Sequence, residues 1–412
     1  VAISKLTWTG MAKEATPGTA VTPPTRYLPT KAVFKGGKKR VWLNEERGDR
    51  NANYGVVDSV RQSTVNMAGP WYNDTSPVGL WAGIGLPTTT QPNAAAAPTV
   101  SSHAFTFQNI PPTYTIARSM DAAAKVYFVP FSALEKFTLH FVADGQLLEF
   151  DHDYMGLFAQ PYTSPPSPTY STLLPFAGYL PTIKLVDNVV NQDIIDLSIT
   201  YSQKLLLWYP ANGTADFVTV YFGERDVAVS LTARFDNDTM YQRWRNNTAD
   251  ALTFDVQGPT IGKIYTVTLG APSAGTFTLT YGGQTTAGIA FNATGATAQT
   301  AFQLLSSVGA NATISGAAGG PYTVSFLGPL LNDGLALTGS GAGLTGGTFS
   351  ISAQTTYNQE LNMVFPIVNW DTMEHDTSKE NVLIKAAGKV QATAGSALFT
   401  GFVQNTVAAY TT

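Results

Sequence analysis

Alternation of apolar and polar side chains constrains this chain more than any other feature. Val65, Met67, Gly69 and Trp71 share one side of the run Thr64–Trp71. Phe137, Leu139 and Phe141 alternate with Lys136, Thr138 and His140. Ile195, Leu197, Ile199 and Tyr201 alternate with Asp196, Ser198, Thr200 and Ser202, and Val229, Leu231, Ala233 and Phe235 with Ser230, Thr232, Arg234 and Asp236. A period of two sends successive side chains to opposite faces, so these runs predict half-buried strands of antiparallel sheets. Asp144-Gly145, between two such runs, is a hairpin-turn signal. Helical stretches are few: Ser76–Ile84 and Met240–Asn246 are short candidates, each after an Asn-Asp-Thr triplet that reads as a cap. The fold class is mainly β.

Two of these places share one layout. Val65-x-Met67-x-Gly69-x-Trp71-x-Asn73-Asp74-Thr75 matches Val229-x-Leu231-x-Ala233-x-Phe235-x-Asn237-Asp238-Thr239 at a constant spacing of 164 residues. This predicts a diverged internal duplication, with convergent strand–cap–helix syntax as the alternative. The Pro/Ser-rich run Gln160–Tyr170 reads as an extended linker, and Thr88–Ser102 as a long loop. Composition then changes near Lys263: from Ile264 to Thr355 the only charged residue is Asp333, and Gly, Ala and Thr dominate. Patterning persists there. Thr276–Tyr281 and Tyr322–Leu327 read as strands, and Ala298, Ala301, Phe302, Leu305 and Val308 recur at helical spacing before Gly309. Charge returns at Glu360, which predicts a small β-rich unit inserted into the second half. The expected division is 1–160, a linker at 161–175, a second domain from 176–262 and 356–412, and an inserted surface domain at 263–355.

Only 13% of residues are charged, about half the roughly 25% usual for soluble domains. So few charges suit a subunit that covers its surface with neighbours. A formal net charge of −4 gives no bulk attraction to nucleic acid or an anionic membrane. The start, VAISKLTWTG, has no leader-like apolar core, no run approaches the ~18 apolar residues of a membrane helix, and Val1 suggests removal of an initiator Met. Synthesis in a cytoplasm is expected. The absence of cysteine excludes disulfides and thiolate metal sites. Asp151-His152-Asp153 and Glu374-His375-Asp376 fail as three-ligand metal sites, because on a strand the His points away from its neighbours. Asp236-Asn237-Asp238 lacks the Gly and distal Glu of a calcium loop. Gly339–Gly347 has no following Lys-Ser/Thr, and none of the four His lies near a serine-nucleophile motif. No enzyme and no cofactor is predicted.

Residues 11–29 read MAKEATPGTAVTPPTRYLP. The run Lys13-Glu14-x-Thr16-x-Gly18-Thr19-Ala20-Val21, with Pro23-Pro24 and Tyr27-Leu28-Pro29, resembles the amino-terminal segment of major tail tube proteins from long non-contractile (siphovirus-type) phage tails. Leu134–Gly156 resembles that family's central hairpin. Val227–Asn246 followed by Leu361–Asn405 resembles the second half of its longer members, with Pro366-Ile367-Val368 and Lys389–Thr393 matching late strands. The segment from Thr276 (TFTLTYGGQTTAGIAFNAT) to GGPYTVSFLG resembles a module of actinobacterial phage tail proteins. The resemblance implies two tandem tail-tube-type β-sandwich or barrel domains with short flanking helices, plus the small inserted β-rich domain. It implies a virion protein, made in the host bacterial cytoplasm, whose rings stack into a hollow tube for DNA. Single-domain members form rings of six, so two domains per chain imply trimeric rings with pseudo-sixfold symmetry, hexameric rings being the alternative. Further implied partners are tape measure protein and DNA in the lumen, and tail terminator and tip proteins, with no membrane insertion. A tail-tip or surface protein with a carbohydrate- or cell-binding β-domain is the alternative, and a capsid or connector protein a third class.

Lys31–Arg50 holds seven of the 24 Lys/Arg residues. Three readings stand for it. The first is a projecting loop that docks on the adjacent ring through Lys35, Lys38, Lys39, Arg40, Glu45, Glu46, Arg47, Asp49 and Arg50. The second is a solvated hairpin with a basic turn, and the third phosphate contact by Lys38, Lys39 and Arg40. The arm Thr16–Pro29, with Thr16, Pro23 and Tyr27, is a further inter-subunit candidate, too extended for a core of its own. Thr138, His140, Glu149, Asp151 and Asp153 are lumen candidates, where acids would repel phosphate; the alternative is that this face meets outer solvent.

Overall fold

The alternating runs form long antiparallel strands, and their apolar sides meet in one core. This is a computed structural model; it describes residues 7–43, 55–92, 99–121, 125–143, 145–162, 166–185, 189–191, 193–235, 238–377, 382–393 and 395–410. The four runs lie in the strands Gly55–Pro70, Lys125–Val142, Ile194–Trp208 and Thr219–Arg234. One face differs from expectation. A register shift between Ile194 and Asp196 turns Ile194 inward (7% exposed) and Ile195 outward (39%), so the strand enters the core through Ile194, Leu197, Ile199 and Tyr201.

Eight strands form a continuous hydrogen-bonded path. In spatial order they are Lys31–Leu43, Gly55–Pro70, Glu149–Gly156, Lys125–Val142, Ile194–Trp208, Thr219–Arg234, Leu383–Val390 and the far end of Thr355–Asp376. The second layer follows from strand length. The near end of Lys125–Val142 pairs with Tyr114–Asp121 and Gln160–Tyr162, and Tyr114–Asp121 pairs with Thr9–Lys13. The near end of Thr355–Asp376 likewise pairs with Asp250–Leu269 and Thr400–Asn405, and Asp250–Leu269 pairs with Pro181–Leu185. Apolar faces of both layers share one cluster, from Met67, Phe137 and Ile199 to Ile116, Phe254 and Phe365, which makes the body a β-sandwich.

The two halves repeat strand for strand. Gly55–Pro70 and Thr219–Arg234 each span 16 residues and Glu149–Gly156 and Leu383–Val390 each span 8. Three register irregularities recur at matching places. Lys38/Arg40 answers to Gln203/Leu205, Tyr114/Ile116 to Asp250/Leu252, and Leu134/Lys136 to Trp370/Thr372. A bulge is a specific local device, and three in common place the pairs of strands in residue-level correspondence.

Each half carries one helix at the same point, Pro77–Ile84 and Thr239–Arg245. The first is buried on every side, with Pro77 at its first turn. Neither Ser76 nor Asp238, the residues at the two helix starts, makes a side-chain cap bond. Asn73 is instead buried, its amide donating to the carbonyls of Glu360 and Gln404, which ties the first helix to the second half. Asp236, Asn237 and the turn residue Asp144 lie outside the described residues. The stretch Thr88–Ser102 is more than a loop, since Thr88–Thr90 pairs with residues of Ser101–Ala104.

The long hairpin of Asp250–Leu269 and Thr355–Asp376 carries a second core at its tip. Tyr265, Val267, Phe277, Tyr281, Phe302, Tyr322 and Phe326 form it with their own neighbours, apart from the main cluster. Its helix, Gly295–Gln303, has Thr294 as a true cap, the hydroxyl accepting from the Thr297 N–H at 3.2 Å. In the equivalent hairpin of the first half, Tyr114–Asp121 and Lys125–Val142 are separated in sequence by three residues only.

Candidate assembly surfaces

The join between the halves is a strand pair. Asp196–Ser202 of Ile194–Trp208 pairs with Lys136–Val142 of Lys125–Val142. On the outward face the Thr138 and Thr200 hydroxyls lie 3.2 Å apart, and His140 Nε2 lies 3.5 Å from Asp196 Oδ2. On the inward face Phe137, Leu139, Leu197, Ile199 and Tyr201 are buried. Tyr201 donates to the Gly83 carbonyl and to Gln203, whose amide donates to the Leu134 carbonyl at 2.6 Å.

Above this seam the hairpin of Ile194–Trp208 and Thr219–Arg234 leans onto the first half. Leu205, Leu207, Tyr209, Phe217, Val220 and Phe222 pack with Phe131, Ala133 and Leu157. Arg61 clasps Asp216 through two bonds, 2.7 and 2.8 Å, and Tyr209 donates to Gln62 at 2.8 Å. Asp216 raises the Arg61 pKa further, opposed by slight burial.

Two edges of the eight-strand path have no strand beyond them among the described residues. One is the outer side of Lys31–Leu43, which pairs only with Gly55–Pro70. The other is the Asn369–Asp376 end of Thr355–Asp376, which pairs only with Leu383–Val390. An edge presents unpaired backbone donors and acceptors in a row.

The basic segment is a strand rather than a loop. Lys35, Lys38, Lys39 and Arg40 lie on Lys31–Leu43, because the run pairs residue by residue with Gly55–Pro70. Asp58 answers two of these charges, at 3.0 Å from Lys38 and 3.1 Å from Arg40, and those two bonds hold its carboxyl below the usual range. Glu45, Glu46, Arg47, Asp49 and Arg50 lie outside the described residues. Sequence reading missed the apolar side chains at this hairpin's far end: Val41, Trp42, Val56 and Val57 are all exposed, Trp42 by 58%. The available signal was Val41-Trp42-Leu43, three apolar residues in succession where alternation stops.

The arm divides. Thr16 and Pro23 are exposed. Tyr27 is not a surface residue: Arg26–Leu28 pairs with Thr9–Met11, and the Tyr27 ring is buried edge-on against Trp8 at 5.5 Å. Glu14 is the arm's anchor, buried and accepting from the Gly18 and Phe131 N–H groups and the Thr113 and Thr115 hydroxyls at 2.7–2.8 Å.

Thr138, His140, Glu149, Asp151 and Asp153 all point to the outward face of the eight-strand path, the polar side of their strands. Asp151 and Asp153 share one donor, the Asn66 amide, at 2.7 and 2.9 Å. Burial, and then the Asp153 charge, raise the Asp151 pKa. His152 points inward and is buried, so the three residues form no common ligand set, and no metal-binding cluster occurs among the described residues.

These features define a class: an all-antiparallel structural protein of two matched halves, with a strand seam inside and strand edges outside. The family model for phage tail tube proteins matches residues 9–276, and the chain belongs to that family. It is therefore a virion structural protein. The matched span runs through the first half, the seam and the second helix, and ends just inside the second core. A comparison with curated proteins finds no match.

Proposed function

We propose that this chain is a self-assembling tail tube subunit of a long non-contractile phage tail, with two tube domains per chain and three chains per pseudo-sixfold ring. The observation that carries this is the repeat itself. The halves have one strand order and three matched bulges, and they are already joined edge to edge by Lys136–Val142 and Asp196–Ser202. A head-to-tail contact of this kind, repeated by rotation, closes into a ring and leaves no open edge.

In this reading 1–160 is the first tube domain, 176–262 with 356–412 the second, and 263–355 an inserted surface domain. The outward polar face with Thr138, His140, Glu149, Asp151 and Asp153 lines the lumen, where its carboxylates keep passing DNA from adhering. The exposed far end of the hairpin of Lys31–Leu43 and Gly55–Pro70, with the exposed arm residues Thr16 and Pro23, makes contacts between subunits and successive rings. Tape measure protein and DNA are the expected partners in the lumen, and tail terminator and tip proteins those at the tube's ends. Against a sugar-binding tip protein stands the burial of Tyr265, Phe277, Tyr281, Phe302, Tyr322 and Phe326 in the inserted unit, since sugars stack on exposed rings. Cryo-electron microscopy of the concentrated protein tests the proposal. Hollow filaments with three chains per ring are expected; six chains per ring would refute the two-domain reading, and a single closed oligomer would favour a tip or connector component.

A further inference from the structure

The repeat fixes more than a symmetry; it fixes a register for a contact the single chain cannot make. Ala68 answers to Thr232, and their partners are Lys31 and Asp196, so Lys31–Leu43 maps onto Ile194–Trp208 at a spacing of 165 residues. Leu134/Lys136 answers to Trp370/Thr372, so Lys125–Val142 maps onto Thr355–Asp376 at a spacing of 236. The internal seam pairs Thr138 with Thr200, and Lys136 with Ser202. Carried through both spacings, these pairs become Glu374 with Lys35, and Thr372 with Gly37.

From this we infer that the Thr372–Asp376 edge of one chain adds antiparallel to the Lys31–Gly37 edge of a second copy, with Glu374 opposite Lys35. The inference rests on the ring reading above and names the residues that join one chain to the next. Chemistry agrees with geometry. Where the internal seam has two neutral hydroxyls, the seam between copies has a carboxylate facing an ammonium. Where the internal seam has His140 diagonal to Asp196, the seam between copies has Asp376 diagonal to Lys31. Asp376 already accepts from Lys385 at 2.7 Å, so Lys31 of the second copy extends that pair into a cluster. Lys31, Lys35 and Glu374 are exposed in the single chain. Opposite charges directly across a strand pair favour one register and disfavour slips that put like charges together.

A second observation points the same way. Trp42 and Val56 are cross-strand partners, and they map onto Leu207 and Val220, also cross-strand partners. The internal seam covers Leu207 and Val220 with Phe131 and Ala133, leaving Val220 8% exposed; Trp42 and Val56 are 58% and 44% exposed. The same hairpin position is apolar in both halves and covered in only one. A second copy seated in the inferred register brings its own second half under Trp42 and Val56.

The chain has no cysteine, so a designed pair reports without background. The variant carrying Glu374→Cys and Lys35→Cys, assembled and then oxidised, should give disulfide-linked chains on a non-reducing gel, with Glu374→Cys and Val33→Cys linking at least tenfold less. A charge reversal supplies the second test. Glu374→Lys should raise the concentration needed for assembly by about tenfold or more, and adding Lys35→Glu to the same chain should restore most of it. Filaments that form normally but link through 374 and 33 rather than 374 and 35 overturn the register and leave the ring reading intact. A wild-type chain that forms no ring or filament at any concentration overturns the ring reading, and this inference with it.

Discussion

The carboxylate of Asp333 lies 2.7 Å from the ammonium of Lys263, a lysine only 1% exposed. Lys263 also donates to Tyr281 and to the carbonyls of Leu330 and Leu335, beneath the rings of Tyr281 and Phe326. The one charged residue between Ile264 and Thr355 is thus the counter-ion of the lysine at that segment's border. Asp333→Ala should cost about 3–5 kcal/mol of local stability, because it leaves a buried cation without its partner. Lys263→Met with Asp333→Leu should cost much less. Hydrogen exchange of Tyr265–Ile351 reads the difference; equal losses in the two variants would refute the account. Burial raises the Asp333 pKa, but bonds from Lys263, Tyr281 and the Leu335 N–H outweigh it and hold the group below its ordinary 3.8. A depressed acid stabilises the fold above that value, so this contribution is lost as pH falls below about 4.

Glu14 supports the arm in the same way, with a carboxylate that answers four donors. Glu14→Ala leaves one buried and one part-buried N–H group and two buried hydroxyls without this acceptor, at a cost of roughly 2–4 kcal/mol. Phe131, which one of those N–H groups belongs to, has a positive φ of 55°, and Gly18, which owns the other, one of 83°. Limited proteolysis should cut Glu14→Ala between residues 15 and 25 well before the wild type. A cleavage pattern unchanged by the substitution would show that the arm is held elsewhere.

His152 makes the core sensitive to acid. It is fully enclosed, and burial pushes its pKa down to about 3. A base with a depressed pKa takes up a proton more readily when unfolded, so stability rises with pH between about 3 and 6.5 and falls on acidification through that window, by a few kcal/mol. His152→Gln should flatten the slope. The same ring fills the space beside Gly79, where an added Cβ would sit 1.9 Å from Cε1. Gly79→Ala should therefore cost about 3 kcal/mol or more, measured by denaturant unfolding at pH 7.

Glu360 has the opposite sign. Burial, then the neighbouring Asp255, raise its pKa to about 7. A raised acid stabilises the fold only while protonated, so its contribution is lost as pH rises from about 4.5 to 7. Glu360→Gln should raise Tm at pH 8 and change it little at pH 5, by no more than about 1 kcal/mol because the side chain is partly solvated. An equal gain at both values would point to a cause other than titration.

What the sequence disclosed follows from the range of each signal. Alternation is local, so the strands at Thr64, Phe137 and Val229 and both main-body helices were legible. The shift at Ile194/Asp196 was not, because a bulge depends on the partner strand. The spacing of 164 residues was visible over one strand and helix only; the remaining strands correspond at spacings such as 165 and 236, which no single sequence offset reveals. Tyr27 looked exposed because Pro-rich arms have no periodicity, yet Trp8 covers it. Asn73 looked like a cap because its partners, Glu360 and Gln404, lie far along the chain.

Trp42 and Leu207 separate assembly from folding. They hold the same place in the two halves, Trp42 exposed and Leu207 packed on Phe131 and its neighbours. Trp42→Ser removes surface already in water, so the single chain should melt within about 0.5 kcal/mol of the wild type. Leu207→Ser strips a covered apolar side chain from the internal seam and should cost roughly 1–3 kcal/mol. Assembly should respond in the reverse sense. Dilute Trp42→Ser should remain folded by circular dichroism while light scattering shows filament formation delayed or absent at concentrations where the wild type assembles. Val56→Ser should behave like Trp42→Ser, because the two face each other across the hairpin. If Trp42→Ser destabilised the single chain as much as Leu207→Ser, the exposed hairpin end would belong to the fold rather than to the contact between copies.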